Sequence, residues 1–211
     1  MSLLYLLPPF LAETALLVIY YIEPKHTLFA MLVFYLFVIL YFRRLLDFRL
    51  LKKSLADVRG FWVPVGAATG GLVLAYGAKL LLSRLLDGIA SEGVTAIWTE
   101  NDVRGMLLYT LVCILLAPVA QELYFRGAMI RLCAKERNFM IFDAVCGMLL
   151  CAVLQVHSPL GILEVCLIQL PLVVAYIRTR NIYVPMTVNF IWCLWQNLEY
   201  VLYSLARISY S

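Results

Sequence analysis

The chain has 211 residues, 64 % of them hydrophobic and 14 % charged, with a formal net charge of +4. Soluble domains carry roughly 45–50 % apolar and about 25 % charged residues, so this composition excludes water as the main solvent and leaves a lipid bilayer. The 17 Lys and Arg are dispersed among apolar runs. That pattern excludes a nucleic-acid binder and suits membrane topology and attraction to lipid headgroups.

Apolar runs follow one another at 3–22, 28–42, 61–82, 106–120, 140–156, 160–177 and 182–205. Each approaches or reaches the ~20 residues that cross a hydrocarbon core. The runs are continuous rather than alternating, and backbone facing lipid must satisfy its own hydrogen bonds. The expected fold is therefore all-α, a polytopic transmembrane helix bundle of about seven spans. Glu13 and the lack of a small-x-small cleavage site read the first run as a retained anchor rather than a signal peptide.

Basic residues resist transfer across the membrane, so their positions set the orientation. Arg43, Arg44, Arg49, Lys52, Lys53 and Arg59 follow the second run. Arg126, Arg131, Lys135 and Arg137 follow the fourth, and Arg178 and Arg180 the sixth. All three groups fall on one side. The stretch 83–104 carries Asp87, Glu92, Glu100 and Asp102 and falls on the other. The expectation is a multi-pass protein of the cytoplasmic (inner) cell membrane with its N-terminus in the cytoplasm.

No linker or repeat divides the chain, so 1–211 is expected to be a single membrane domain, with N-terminal spans and an acidic loop over 1–104 and a motif-bearing core over 105–205. Between the second and third runs, Leu45, Leu50, Leu51 and Leu55 recur among Lys and Arg. That pattern suits an amphipathic helix in the headgroup layer, and a solvated connector fits equally. Gly66 and Gly70, four apart and beside Gly71 and Gly77, let this helix approach a neighbour closely. Cys113, Cys133, Cys146, Cys151, Cys166 and Cys193 form no CxxC and are expected to be reduced, packed thiols.

An ionisable side chain in hydrocarbon costs at least about 2.5–3.5 kcal/mol, so each one within a span is a candidate for function. The candidates are Glu13, Glu122, Arg126, Asp143, His157, Glu164 and Glu199, with Gln121, Gln155, Gln169, Asn189, Gln196 and Asn197 as uncharged companions. Each also has a structural reading. Asp143, Glu164 and Arg131 sit near enough to span ends to snorkel, and Glu13 and Glu199 can bond across helices.

The stretch APVAQELYFRG at 117–127 stands apart. Glu122 and Arg126, four residues apart, share a helix face and can neutralise one another, which by itself would explain both without chemistry. Gln121 sits about 100° round the helix and can point at a different neighbour.

This stretch resembles the first motif, Glu-Glu-x-x-x-Arg, of the CAAX-protease and bacteriocin-processing family of glutamic-type intramembrane proteases. Val153 to His157 resembles the second, Phe-x-x-x-His, with Val153 in the Phe place. Asn189 to Cys193 occupies the place of the third, His-x-x-x-Asn/Asp, after a short charged turn and Pro185. Order and spacing agree over about 106–197. The resemblance implies water-activated peptide hydrolysis inside the membrane. The first Glu of the pair and the His would activate water, the second Glu and the Arg organise the site, and the third motif stabilise the oxyanion. On this chain those places are held by Gln121, His157, Glu122, Arg126 and Asn189.

Two departures matter. Gln121 replaces the water-activating Glu, and an amide accepts no proton at working pH, so the chain as written should hydrolyse slowly or not at all. An engineered substitution, a natural non-catalytic relative, and an active variant with Glu122 as the base all fit. Cys193 replaces the motif-three Asn, and Asn197, one turn on, is a possible substitute. Depth is a further check. Glu122 lies ~18 Å above a helix end near Ala134 and His157 ~25 Å above one near Met140, whereas Asn189, seven residues into its span, is shallower.

The function expected is an intramembrane endopeptidase that removes a terminal sorting, lipidation or leader segment from a membrane-anchored protein or peptide. A non-catalytic scaffold that binds a partner through the same polar set is the alternative, and a proton-conducting transporter using Glu122, His157 and Glu199 fits the spacing least. No HExxH or other metal-ligand pattern occurs, so neither metal nor cofactor is expected, and membrane lipids are the other partner.

Overall fold

A computed structural model describes residues 5–86, 103–132, 137–156 and 158–209, and every regular element among them is helical. In chain order the helices are α1 (Leu7–Ile22), α2 (Thr27–Tyr41), α3 (Phe48–Ala56), α4 (Val58–Leu85), α5 (Val103–Ala128), α6 (Arg137–Gln155), α7 (Pro159–Thr179) and α8 (Tyr183–Ser209). Five stretches are long and apolar enough to cross a membrane: Pro24–Tyr41, Val58–Leu85, Val103–Ala128, Asn138–Gln155 and Pro159–Thr179. Two more helices complete the set of about seven. α1 is apolar over 16 residues, and the 27 residues of α8 reach ~40 Å, although Asn189, Gln196, Asn197 and Glu199 dilute its hydropathy. The chain is an all-α, multi-pass membrane protein.

Local chemistry explains several boundaries. Pro8 and Pro9 open α1, where a missing N–H costs nothing. Ser158 caps α7, its Oγ accepting from the Gly161 N–H at 3.0 Å. Within α5, Val103–Tyr109 is α-helical, Thr110–Leu116 π-helical, Ala117–Gln121 α-helical and Glu122–Ala128 π-helical. Pro118 lacks the N–H that would continue an α ladder, and the chain meets it with the π-helical turn just before. The apolar run that ends at 120 therefore underestimates α5, which carries the charged motif on to Ala128.

The residues group into two compact units. One takes in Met1–Leu46, Ala96–Tyr124 and Asn189–Ser211. In it α1 packs on α2, and α2 packs on the Thr110–Leu116 and Ala117–Gln121 stretches of α5. Its buried side chains include Val38, Phe42, Val112, Leu123 and Tyr124, and the rings of Phe42 and Tyr124 stack at 6.0 Å.

The other unit takes in Asp47–Thr95 and Phe125–Val188. α7 packs against α4 and α6. Of the glycines expected to allow close approach, Gly71 does so, where a Cβ would lie 3.4 Å from Pro171 of α7, whereas Gly66, Gly70 and Gly77 have nothing within 4 Å. Gly66 and Gly70 sit on a different face from the one that α7 covers, because residue 71 is turned about 100° from residue 70. Asp143 and Glu164, expected to snorkel, are paired. Arg131 makes a two-pronged bridge to Asp143, at 2.8 Å from Nε and 3.1 Å from Nη2. Lys79 of α4 lies 3.4 Å from Glu164 of α7. Cys113, Cys146, Cys151, Cys166 and Cys193 are free thiols, while Cys133 and the acidic residues Asp87, Glu92, Glu100 and Asp102 lie outside the described residues.

Candidate functional site in the first unit

Glu122 opens the second π-helical stretch of α5, and no part of it reaches the surface. A carboxyl group so placed must find a donor within the protein. Asn189, at the start of this unit's part of α8, supplies one. Its Nδ2 donates to Glu122 Oε1 at 2.8 Å and to Gln121 Oε1 at 3.3 Å. An Asn amide has two N–H groups, and these two acceptors engage both. In a medium that excludes water such bonds are stronger than at a surface, and leaving one unmade costs correspondingly more.

The amide is also held from its other end. Asn189 Oδ1 accepts from the Cys193 thiol at 3.7 Å. The donor half of Asn189 is thereby turned toward α5. Cys193 and Asn197 follow Asn189 at four-residue steps along one face of α8. Asn197 Nδ2 donates to the Cys193 carbonyl at 2.7 Å. The Tyr109 hydroxyl donates to Asn197 Oδ1, and the Tyr109 and Tyr200 rings lie 4.3 Å apart. Two polar rungs thus join α5 to α8, Glu122 to Asn189 and Tyr109 to Asn197.

Of the residues picked out from the sequence, Gln121, Glu122 and Asn189 meet. Gln121 shares Asn189 with Glu122. The reason is the change to a π-helical path at Glu122, where each residue turns through a smaller angle than in an α-helix, together with the reach of one two-donor amide. Arg126 belongs to the second unit, four residues on in the same π-helical stretch, and is 1 % exposed. His157 lies outside the described residues. Asn197, the possible stand-in for the motif-three Asn, has both ends of its amide engaged, by Tyr109 and by the Cys193 carbonyl.

The depth mismatch between Glu122 and Asn189 disappears. The π-helical stretch closes at Ala128, six residues past Glu122, and Asn189 stands six residues past the start of α8. Both stand six residues from their helix ends. Tyr109 escaped notice in the sequence because a tyrosine in an apolar run reads as core. The signal available was its hydroxyl, which needs a partner when buried.

Chemically, the arrangement is a buried carboxyl group beside a fixed amide donor. Among the described residues no cluster of three or more His, Cys, Asp and Glu is placed to hold a metal ion. A family model, type II CAAX prenyl endopeptidase Rce1-like, matches residues 103–195. That stretch takes in all of α5 through Cys193 of α8, and over it the resemblance read from the three motifs holds. No curated protein and no solved structure matches the chain.

Proposed function

From the match of residues 103–195 to the Rce1-like CAAX endopeptidases, we propose that the chain is an intramembrane peptide hydrolase that removes a terminal sorting, lipidation or leader segment from a membrane-anchored protein. The observation that carries this reading is the Asn189 amide held between Gln121 and Glu122. The family places its acidic pair at those two positions, and here a motif-three residue is bonded to both.

In this reading Glu122 is the one carboxylate of the pair left to act as general base. It takes a proton from water, the resulting hydroxide adds to the scissile carbonyl, and that proton passes to the departing amine as the C–N bond breaks. Asn189, with both N–H groups directed at positions 121 and 122, positions the carboxylate. Arg126 organises the motif, and His157 shares in activating water. Hydrolysis runs slowly with Gln121 in place and faster when a second carboxylate is restored. The setting is the cytoplasmic membrane, with the N-terminus on the cytoplasmic side and 1–211 acting as a single membrane domain.

The test is cleavage of a lipid-anchored peptide by the chain reconstituted in liposomes. Gln121→Glu should raise the rate by about 10²–10⁴-fold, the usual worth of a positioned base. Adding His157→Ala or Glu122→Gln should abolish the gain. A rate untouched by both second substitutions would remove this mechanism.

Gln121 itself favours a second reading, a non-catalytic scaffold that holds a partner protein at the same polar set. Stoichiometric co-purification of one partner, with no cleavage after Gln121→Glu, would decide for it.

A further inference from the structure

We propose that α3 and the turn that follows it form a binding surface for anionic phospholipid headgroups, in the leaflet where α4 begins. Chain connectivity places α3 at a membrane face. α3 ends at Ala56, and Asp57, whose Oδ1 accepts from the Gly60 N–H at 2.8 Å, starts the π-helical turn that runs without a break into the membrane-crossing α4.

One side of α3 is taken by protein. Ser54 is buried, and its Oγ accepts from Asn181 Nδ2 at 2.8 Å. Another side is apolar and uncovered. Phe48 and Leu55, seven residues apart and so on one face, are 73 % and 47 % exposed. Trp62 extends this strip, 44 % exposed, with its Nε1 donating to the Leu55 carbonyl at 3.1 Å. Val58 and Val63 continue it onto α4, both well exposed. Beside the strip, Arg49, Lys52 and Lys53 are exposed on the adjoining arc.

Asp47 accepts from the Arg49 and Leu50 N–H groups and Asp57 from the Gly60 N–H, which fixes both carboxylates at helix starts without neutralising them. Arg49, Lys52, Lys53 and Arg59 outnumber these two acids, so the segment stays net cationic. A cationic arc flanking an apolar strip is the pattern of a helix lying in the plane of an interface, its apolar side among acyl chains and its cations among headgroups. Tryptophan is favoured at that depth. The strip is continuous with the lipid-facing start of α4, and that continuity selects lipid over a soluble partner. The cations select an anionic headgroup, about fivefold per basic side chain near such a surface.

The experiment reconstitutes the full chain with spin-labelled phosphatidylglycerol or phosphatidylcholine and measures the motionally restricted fraction of each. The expected result is preference for phosphatidylglycerol at low salt, falling at least threefold in the R49Q/K52Q/K53Q variant and falling also as salt is raised. Bromine-labelled acyl chains should quench Trp62, read as the difference between the wild type and Trp62→Phe. Equal affinity for the two lipids, or a preference unchanged in the triple variant, overturns the proposal. So does an absence of quenching at Trp62, which would mean that a protein covers this face. Neither readout depends on peptide cleavage.

Discussion

Asn189 Nδ2 lies 2.8 Å from Glu122 Oε1, although 67 residues separate the two in sequence. The bond joins α8 to the π-helical end of α5 within one unit, and with the longer bond from the same amide to Gln121 it brings the sequence-distant third motif to the first. It also sets the terms of the site: a carboxyl group this deeply buried has its partner chosen by the fold.

Removing that partner should be costly. Asn189→Ala leaves Glu122 without this donor and is expected to destabilise the chain by about 1–3 kcal/mol, the penalty for a buried polar group that loses its bond. Thermal unfolding in detergent, followed by circular dichroism, checks it. An unchanged midpoint would show that Glu122 finds an equal donor elsewhere.

Cys193 holds Asn189 by its side-chain oxygen. Cys193→Ser keeps a donor there and should leave stability within about 0.5 kcal/mol, whereas Cys193→Val removes it and should cost about 0.5–1.5 kcal/mol. If the Ser and Val variants unfold at the same temperature, the thiol does not orient the amide. Tyr109→Phe should behave like Cys193→Val, because Asn197 then loses the hydroxyl that it accepts from.

Glu164 is buried and lies 3.4 Å from Lys79. Lys79→Met strands the carboxylate and should cost about 3–5 kcal/mol, while the double variant Lys79→Met, Glu164→Met should recover most of that loss. The comparison of single and double variants by denaturant unfolding isolates the pair. Equal losses in both would mean that packing, not charge, dominates at this contact.

The glycines of α4 should separate cleanly. Gly71→Val pushes a side chain against Pro171 and should cost about 1–3 kcal/mol through overpacking. Gly66→Ala and Gly70→Ala meet nothing within 4 Å and should be neutral or stabilising by up to about 1 kcal/mol, since alanine loses less backbone freedom in a helix. Thermal midpoints of the three variants, measured side by side, test this ordering.

Sequence spacing and structure part company at particular residues. Gly66, Gly70, Gly71 and Gly77 all allow close approach on α4, but of the four only Gly71 meets a neighbour within 4 Å. Asp143 and Glu164 look like residues at span ends that reach for water. They are paired because Arg131 and Lys79 lie within reach. Gln121 looks separated from Glu122 by a helix step, yet both bond the same amide. In each case periodicity gave a direction and lacked the identity of what stood there.

By itself the sequence determined that lipid is the solvent, that the chain is helical and crosses the membrane several times, and that charges cluster in one short stretch of α5. These follow from sums taken along the chain: an apolar run too long for water and a backbone that can satisfy itself only as a helix. The partners were decided by the tertiary structure alone, Asn189 for Glu122, Asn197 for Tyr109, Pro171 for Gly71. Helical spacing fixes which residues share a face, but the free energy of a buried polar group depends on what lies opposite, and that is settled only when the helices have packed.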